Sequence, residues 1–250
     1  MVHFKIIIPM YNVEKWISAT VKSVKAQSYD NYEVMIIDDM STDSSYEKTL
    51  SLIGGDDRFK LIANQQKRCP LENTVRGIQL CDPKDEDVIV ILDGDDWFYS
   101  DKTLDIIANR YENTNCLITY GSHIEYPSGN KGNTFMKYPD EVITKSLYRQ
   151  HPLWLASHTR TFKHLLWKNI KDEDLRDIQG NYYQMTGDLA AMFPMLEMAQ
   201  ERQEYIADII HVYNRSNPIN EDKSDHSLQL SFDKEIRGKT KYPRLETSEA

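Results

Sequence analysis

Hydrophobic and polar positions alternate with two different periods in the first half of the chain. Four short, β-branched stretches bounded by charged or turn residues predict strands at Phe4–Ile8, Tyr32–Asp38, Phe59–Ala63 and Val88–Leu92. Between them, apolar residues recur at helical spacing and predict helices at Val13–Gln27, Ser44–Leu52 and Leu71–Cys81. Buried strands separated by helices are typical of βαβ units, whose right-handed connections build a doubly wound parallel sheet.

The pattern changes after Trp97. It predicts a helix at Lys102–Glu112, a strand at Leu117–Tyr120 and a turn-rich stretch at Tyr126–Asn133. Helical spacing returns at Thr161–Trp167, Thr186–Gln200 and Leu228–Ile236. Because neither an internal repeat nor a clear linker interrupts the chain, we predict one domain over residues 1–250. Its parts are a nucleotide-sized front half (1–120), an elaborated second half (121–215) and a C-terminal tail with a helix (216–250).

Composition narrows the class of protein. The 250 residues carry a net charge of −9, with 28% charged and 40% hydrophobic side chains, which are ordinary globular values. An acidic chain without a basic stripe is a poor nucleic-acid binder, so no nucleic-acid partner is expected. No apolar stretch approaches the ~18–20 residues that cross a bilayer, which predicts no integral membrane segment.

Redox and targeting signals point to the cytoplasm. Cys69, Cys81 and Cys116 cannot all pair, and none lies in a CxxC motif, so buried thiols in a reducing compartment are expected. The apolar run Ile6–Ile8 is too short for a signal-peptide core and stops at Pro9. We therefore expect a cytoplasmic protein, with peripheral membrane contact left open.

The most distinctive residues directly follow predicted strands. The first strand ends in Pro9-Met10-Tyr11-Asn12, the second in Asp38-Asp39, and the fourth in Asp93-Gly94-Asp95-Asp96-Trp97. In open parallel sheets, ligands bind outside the carboxyl ends of the strands. Five carboxylates at two neighbouring strand ends repel one another, and a divalent cation with oxygen ligands is the simplest compensation.

Each feature also has a structural explanation. Asn12 could be the N-cap of the following helix, Asp38 and Asp39 could be solvated loop residues, and Asp93-Gly94 could be an ordinary tight turn. It is their joint occurrence at successive strand ends that favours a ligand site.

These motifs resemble those of family 2 glycosyltransferases with the GT-A fold. MYN after an apolar strand, IIDDMSTD about 25 residues later, and ILDGDDW after a further strand carry the resemblance over at least residues 4–120. More loosely, Gly187-Asp188-Leu189 resembles the acidic motif at the head of the acceptor-side helix. Tyr213-Asn214-Arg215 resembles the strand and phosphate-side loop near the family's end.

The resemblance implies a fold, a reaction and its partners. The fold would be α/β of GT-A type, a Rossmann-like, mostly parallel sheet flanked by helices, with an acceptor-side elaboration in the second half. The reaction would be inverting transfer of a sugar from a nucleotide diphosphate donor, a UDP-sugar. The acceptor would be a hydroxyl group of a saccharide, glycoprotein or glycolipid.

The resemblance also implies residue roles. Tyr11 would flank the base, and Asp39 would accept the uracil N3 hydrogen. The implied nucleotide-binding set is Pro9, Tyr11, Asn12, Asp39, Arg68, Asn73, Asp93 and Asp95. Asp95 would face the ribose or the metal, Asp96 would face the metal most directly, and Asp188 would be the catalytic base. Independently of the resemblance, Arg215 and Lys223 could neutralise the diphosphate, or they could belong to a solvated polar tail. Near Arg68 and Asn73 the chain departs from the family's common Ala-Arg-Asn-x-Gly run.

Elementary chemistry agrees with these roles. A leaving diphosphate gathers negative charge, which a bridging Mn²⁺ or Mg²⁺ stabilises as a Lewis acid. Carboxylates suit such hard cations. An acceptor hydroxyl is a weak nucleophile and needs a carboxylate base on the opposite face, and one displacement inverts the anomeric carbon. Asp188 could alternatively be only a helix N-cap.

Softer candidates lie in the second half of the chain. A late histidine could complete the metal coordination, the candidates being His151, His158, His164, His211 and His226. Trp97 or Trp154 could stack on a sugar ring. Met192, Met195 and Met198, at three-residue spacing, are expected to fill the core, and Pro194 to kink their helix.

Other classes fit less well. Haloacid-dehalogenase-type phosphatases also place Asp-x-Asp after a strand, but Trp97 stands where they need Thr or Val. Sugar-1-phosphate nucleotidyltransferases need a Gly-rich basic loop, and nicotinamide dehydrogenases need G-x-G-x-x-G, after the first strand. Neither is present in Asn12-Val13-Glu14. A catalytically inactive carbohydrate- or nucleotide-sugar-binding protein of the same fold stays open.

Overall fold

The computed structural model describes residues 1–132, 136–220 and 225–246, which form an eight-stranded sheet with helices on both faces. The strands are β1 (Phe4–Met10), β2 (Tyr32–Asp38), β3 (Phe59–Ala63), β4 (Val88–Ile91), β5 (Trp97–Phe98), β6 (Ile118–Tyr126), β7 (Arg160–Lys163) and β8 (Gln203–Asn214). The helices are α1 (Ile17–Lys25), α2 (Ser45–Ile53), α3 (Pro70–Cys81), α4 (Thr103–Asn113), α5 (Asp140–Thr144), α6 (His164–Trp167), α7 (Gly187–Ala199) and α8 (His226–Gly238). A 3₁₀ turn covers Asp172–Leu175.

The sheet has a parallel half and a mixed half. Its strand order is β3-β2-β1-β4-β7-β6-β8-β5. Strands β3, β2, β1 and β4 are parallel, β7 is antiparallel to both β4 and β6, β8 is parallel to β6, and β5 is antiparallel to β8. The α/β class and the mostly parallel character of the sheet are therefore confirmed.

Strand β1 lies at the centre of the two cores. All seven of its residues are buried, as expected for a parallel strand covered on both faces. Ile7 belongs to the core beneath α3 and α7, whereas Ile6 and Ile8 belong to the core beneath α1. The methionines of α7 fill the first of these cores, as expected.

The carboxyl ends of β1, β2 and β4 meet at one edge. Met10 pairs with Asp38, and Ile7 pairs with Ile91, so the loops that follow these strands emerge side by side. Gly94 makes the tightest contact there, because a Cβ atom at this position would lie 2.6 Å from Met10 Cβ. The acidic loop can follow β4 so closely only because residue 94 is glycine.

Two helix predictions are wrong in detail. Helix α1 begins at Ile17 and not at Val13, since Val13 O accepts the backbone N–H groups of Trp16 and Ile17 in a preceding turn. The stretch predicted as a helix from Thr161 to Trp167 is strand β7 followed by the single turn α6. Its first residues are extended because they form a ladder with Val88–Ile91.

The second half contains more strand than the pattern predicts. Strand β6 continues to Tyr126, well beyond the predicted end at Tyr120. Of β8, only the end at Tyr213 and Asn214 is expected, from the resemblance, and the hydrophobic pattern does not predict the rest. These two strands pair along their length with register shifts around Ser122, which break the regular alternation of inward and outward residues. The predicted Tyr126–Asn133 loop begins where β6 ends, and its last residue lies outside the described ranges. Within those ranges, every helix is too short or too polar to span a bilayer.

Candidate active site

A cleft of about 670 Å³ opens at the carboxyl edge of the parallel strands. Its walls come from the loops after β1, β2 and β4, from the start of α3, from β7 and from the start of α7. Seven of the predicted site residues line it: Pro9, Tyr11, Asp39, Asn73, Asp93, Asp95 and Asp188. Residues from strand ends far apart in the sequence therefore share one concave surface.

Asp39 is fixed in the wall of the cleft that follows β2. Its side chain is 4% exposed, and its Oδ1 accepts hydrogen bonds from Asn64 Nδ2 (2.9 Å) and from the backbone N–H of Arg68 (2.8 Å). Asn64 Nδ2 also donates to Asn73 Oδ1 at 2.7 Å. Within the described ranges no group donates to Asp39 Oδ2, so this oxygen keeps its capacity to accept a hydrogen bond.

Asn12 and Arg68 lie beside the cleft and do not line it. Asn12 adopts a left-handed backbone (φ 50°), and its Oδ1 accepts from the backbone N–H of Thr42 at 2.8 Å. It joins the loops after β1 and β2, and since α1 begins at Ile17 the N-cap interpretation is wrong. Arg68 reaches Asp39 only through its backbone, because its guanidinium pairs with Glu72.

Tyr11 presents an aromatic face at the cleft wall. The ammonium nitrogen of Lys67 lies 2.8 Å from the centroid of its ring, a cation–π contact. This contact holds a positive charge close to the predicted position of the nucleotide.

The ionised form of Asp95 is disfavoured both by burial and by neighbouring carboxylates. Burial raises its pKa to about 8, and the neighbouring charges of Asp96 and Asp93 act in the same direction. Its Oδ2 accepts a hydrogen bond from Asn217 Nδ2 at 2.7 Å. Partly buried carboxylates that repel each other fit a hard divalent cation, because the ion would compensate both burial and repulsion.

Asp96 is more deeply buried than Asp95, and its predicted role as the most direct metal ligand stays a prediction. Its side chain is 1% exposed, and it is not among the residues that line the cleft. Its Oδ1 accepts the backbone N–H of Asn214 (2.8 Å), and its Oδ2 lies 2.9 Å from His211 Nε2. The structure thus uses Asp96 to tie the acidic loop to β8.

A cluster of stacked rings surrounds Asp96. His158 stacks on His211 with 4.8 Å between ring centroids, and on Tyr213 with 5.1 Å. Potential ligand atoms of Asp96, His158 and His211 lie within 4.8 Å of one another. Burial lowers the pKa of His211 to about 3 and that of His158 well below its ordinary value, so both rings are neutral near pH 7. The remaining histidine candidates do not line the cleft: His151, His164 and His226.

Asp188 faces the acidic loop from the opposite wall. It lies in the first turn of α7, whose N-cap residue is Thr186, in a left-handed conformation (φ 57°) and without a capping side-chain hydrogen bond. The N-cap interpretation of Asp188 is therefore wrong. Its side chain is 28% exposed, and its Oδ2 lies 3.1 Å from Arg160 Nη1.

With this geometry described, the chain can be compared with known proteins. Residues 5–176 match the family described as Glycosyl transferase family 2. The chain belongs to this family.

Relatives of this family 2 protein bear glycosyltransferase names. It is 35% identical over 118 residues to an uncharacterized glycosyltransferase of Haemophilus influenzae, covering 47% of this chain and 46% of that protein. It is 30% identical over 118 residues to WfgD of Escherichia coli, named UDP-Glc:alpha-D-GlcNAc-diphosphoundecaprenol beta-1,3-glucosyltransferase, covering 47% of this chain and 44% of that protein. The matched segment spans less than half the length of either relative.

Solved structures agree on the fold. TarS 1–349 of S. aureus in complex with UDP-GlcNAc superposes with a TM-score of 0.68 at 16% identity, covering 90% of this chain and 62% of that one. A mannosyltransferase, PcManGT from Pyrobaculum calidifontis in complex with GDP-Man and Mn²⁺, gives a TM-score of 0.56 at 15% identity, covering 88% and 58%. The predicted GT-A fold is confirmed.

Three residues of the family 2 site were not singled out by the sequence. Arg160 bridges the two walls, Asn217 holds Asp95, and Asn64 holds Asp39. Arg160 lies at the edge of a stretch predicted as helical, and Asn217 in a polar tail. Only the pairing of β7 with β4 and the course of the chain after β8 bring them to the cleft.

Of the two tryptophans predicted to stack on a sugar, Trp154 lines the cleft, where it packs edge-on against Phe193 with 5.2 Å between ring centroids. Trp97 instead packs against Tyr126 and does not line the cleft. Arg215 is exposed outside the cleft, with its guanidinium 5.8 Å from the ring centroid of Tyr213. Lys223 lies outside the described residues.

Proposed function

We propose that this chain transfers a sugar from a UDP-sugar to an acceptor hydroxyl, inverting the anomeric carbon. The observation that carries the proposal is that Asp39, the acidic loop and Asp188 line one cleft from different sides. Two similar proteins support the donor class, since WfgD is named for UDP-Glc and TarS was crystallised with UDP-GlcNAc.

The donor base is selected by Asp39. Oδ1 of this carboxylate is occupied by Asn64 and by the backbone of Arg68, which leaves Oδ2 to accept a hydrogen from the base. Uracil offers N3–H, whereas cytosine N3 is itself an acceptor and would face the carboxylate unfavourably. Tyr11, on the same side of the cleft, flanks the base.

The diphosphate requires a cation, and the acidic loop is the part of the cleft suited to bind it. Asp95, with Asp93 beside it, would hold Mn²⁺ or Mg²⁺, which when bound supplies Lewis-acid stabilisation of the leaving diphosphate. Asn217 orients Asp95 through its hydrogen bond. Because burial raises the pKa of Asp95 to about 8, metal binding by this carboxyl group would be favoured at higher pH.

Asp188 takes the proton of the acceptor hydroxyl. It lies on the wall opposite the nucleotide side and is partly exposed to the cleft, as a base for an entering acceptor must be. A single displacement with the base on the face opposite the leaving group gives inversion. The acceptor is a saccharide, glycoprotein or glycolipid. Trp154 lines the same cleft as Asp188 and provides an apolar face for a sugar ring of the acceptor.

The test is slow hydrolysis of nucleotide sugars without an acceptor. We expect UDP release from UDP-Glc or UDP-GlcNAc with Mn²⁺ and little release with EDTA, and no comparable release from GDP-Man. UDP should also compete ten- to a hundredfold better than CDP, since one buried hydrogen bond is worth ~1–3 kcal/mol and a decade is about 1.4 kcal/mol.

The outcomes separate the alternatives. Tight, metal-dependent binding of UDP-sugars without turnover, also in the presence of saccharide acceptors, would support an inactive binding protein of the same fold. Release of inorganic phosphate from sugar phosphates would support a phosphatase. Preference for CDP or GDP would contradict the role of Asp39. Asp101→Asn, which removes an exposed carboxylate in the turn before α4, is the matched control for substitutions of the cleft aspartates.

A further inference from the structure

Arg160 is the cation between the two acidic walls of the cleft. It is the first residue of β7 and pairs with Ile91, the last residue of β4, so it stands beside the acidic loop. Its Nη1 lies 3.1 Å from Asp188 Oδ2, and its Nη2 lies 3.6 Å from Asp93 Oδ2. The Arg160 side chain is only 10% exposed, whereas its partners Asp93 and Asp188 are 34% and 28% exposed, so the guanidinium is shielded and both carboxylates stay open to the cleft.

The guanidinium of Arg160 is held in place by His158. Arg160 Nη2 lies 2.9 Å from His158 Nε2, and burial together with the charge of Arg160 lowers the pKa of His158 well below its ordinary value. A neutral imidazole can accept this hydrogen bond at Nε2. His158 in turn stacks between His211 and Tyr213, which restricts its ring.

The two oxygens of Asp188 are therefore not equivalent. Oδ2 is engaged by Arg160, whereas no described residue makes a hydrogen bond or ion pair with Oδ1. A carboxylate that acts as a base must present one lone pair in a defined direction, and anchoring one oxygen fixes the direction of the other. A planar guanidinium suits this task because its donors have a fixed geometry.

We propose that Arg160 is a positioning residue that orients Asp188 and links it to Asp93 of the acidic loop. The proposal rests on the proposed function, in which Asp188 is the base. Arg160 acts through Asp188 and is not a ligand of the nucleotide. Its removal lowers the rate of the chemical step and leaves donor binding unchanged.

The test measures Mn²⁺-dependent hydrolysis of UDP-glucose or UDP-GlcNAc, whichever the wild type hydrolyses faster. Arg160→Met is expected to lower kcat by about ten- to a hundredfold, the usual effect of a misplaced group, while KM for the donor stays within about threefold. Arg160→Lys should recover part of kcat, because the lysine ammonium keeps the positive charge but lacks the fixed donor geometry of a guanidinium. Lys163→Met, which removes a cation from the same strand, is the matched control and should resemble the wild type.

The decisive arm combines Arg160→Met with Asp188→Asn. If Arg160 acts through the base, its removal causes little further loss in the Asp188→Asn background. An equal loss in both backgrounds, an unchanged kcat in Arg160→Met, or a tenfold rise in donor KM would overturn the proposal. The Lys variant, with melting temperature and UDP affinity near wild type, excludes misfolding as the cause. A wild type without turnover, or an Asp188→Asn variant with full turnover, would instead refute the proposed function.

Discussion

Neighbouring aspartates in the acidic loop have different environments. Asp95 lines the cleft and accepts a hydrogen bond from Asn217. Asp96, the next residue, is buried between the backbone of Asn214 and the ring of His211. The loop therefore exposes one carboxyl group to the cleft and buries the next.

The first prediction separates these two residues by calorimetry of UDP binding with and without Mn²⁺. Asp95→Asn should lose most of the metal-dependent gain in affinity and keep its melting temperature within a few degrees. Asp96→Asn should keep the metal dependence and lower the melting temperature, because a mispaired buried group costs ~1–3 kcal/mol. At ~2–4 °C per kcal/mol, the expected decrease is readily measured. The opposite assignment of the two phenotypes would return Asp96 to the metal site.

The second prediction concerns Asp188. Since Thr186 and not Asp188 is the N-cap of α7, Asp188→Asn should leave the melting temperature near wild type. UDP affinity should also be retained, whereas sugar transfer or donor hydrolysis should fall by about 10²–10⁴, the usual contribution of a positioned general base. Turnover within a fewfold of wild type would remove Asp188 from the mechanism. His158, which lines the cleft, would then be the next base to examine.

At the scale of elements, a buried ion pair attaches the C-terminal segment to α7. Arg149 and Glu197 have side chains only 3% and 1% exposed, with Nε and Oε1 at 2.6 Å. Glu197 Oε2 also accepts the backbone N–H of Tyr242, and Arg149 Nη1 donates to Ile236 O. Helix α8 and the chain after it are thereby connected to the helix that carries Asp188.

The third prediction follows from the energetics of buried pairs. Arg149→Met leaves the Glu197 carboxylate buried without its cation, which typically costs ~3–5 kcal/mol of unfolding free energy. The double variant Arg149→Met/Glu197→Leu should be destabilised less than the single one, because no uncompensated charge remains. Urea unfolding of the two variants measures the difference. Arg244→Met, which removes a surface cation paired with Glu201, is the control and should change stability little.

Elements with local signals could be predicted from the sequence, and those defined by distant pairing could not. Strands β1 to β4 are short, mostly apolar runs, and the polar residues that follow β1, β2 and β4 include Tyr11, Asp39 and Asp95, which line the cleft. Strand β7 is extended only because it pairs with β4 and β6, and β8 pairs with β6 through register shifts. Arg160 and Asn217 depend on these strands, so the residues that orient Asp188 and Asp95 could not be found from local patterns.

At the scale of the whole molecule, the fourth prediction concerns pH. The pKa of Asp95 is raised to about 8 in the fold, against about 4 in an unfolded chain. Between these values the folded state holds more protons, so its stability decreases as pH rises, and the raised pKa of Asp96 acts in the same direction. The lowered pKa values of His123 and His211 act in the opposite direction, but only at pH values below the ordinary pKa of histidine.

We therefore expect the melting temperature of the metal-free protein to fall between about pH 7 and about pH 8. Mn²⁺ with UDP should raise the melting temperature more at the higher pH, because a smaller fraction of Asp95 is protonated there. Scanning calorimetry at the two pH values measures both effects. In Asp95→Asn the pH slope should be shallower, and an unchanged slope would show that another group is responsible.

The position of β4 in the sheet has a consequence for dissecting the protein. Its residues pair with β1 on one side and with β7 on the other, so this strand of four residues connects the parallel half of the sheet to the mixed half. A fragment ending near residue 120 would leave Val88–Ile91, an almost wholly buried apolar run, as an open edge. Unpaired apolar edges recruit other chains. We therefore expect residues 1–120 alone to aggregate, and chimaeras that exchange the second half should carry β7 together with its own β4.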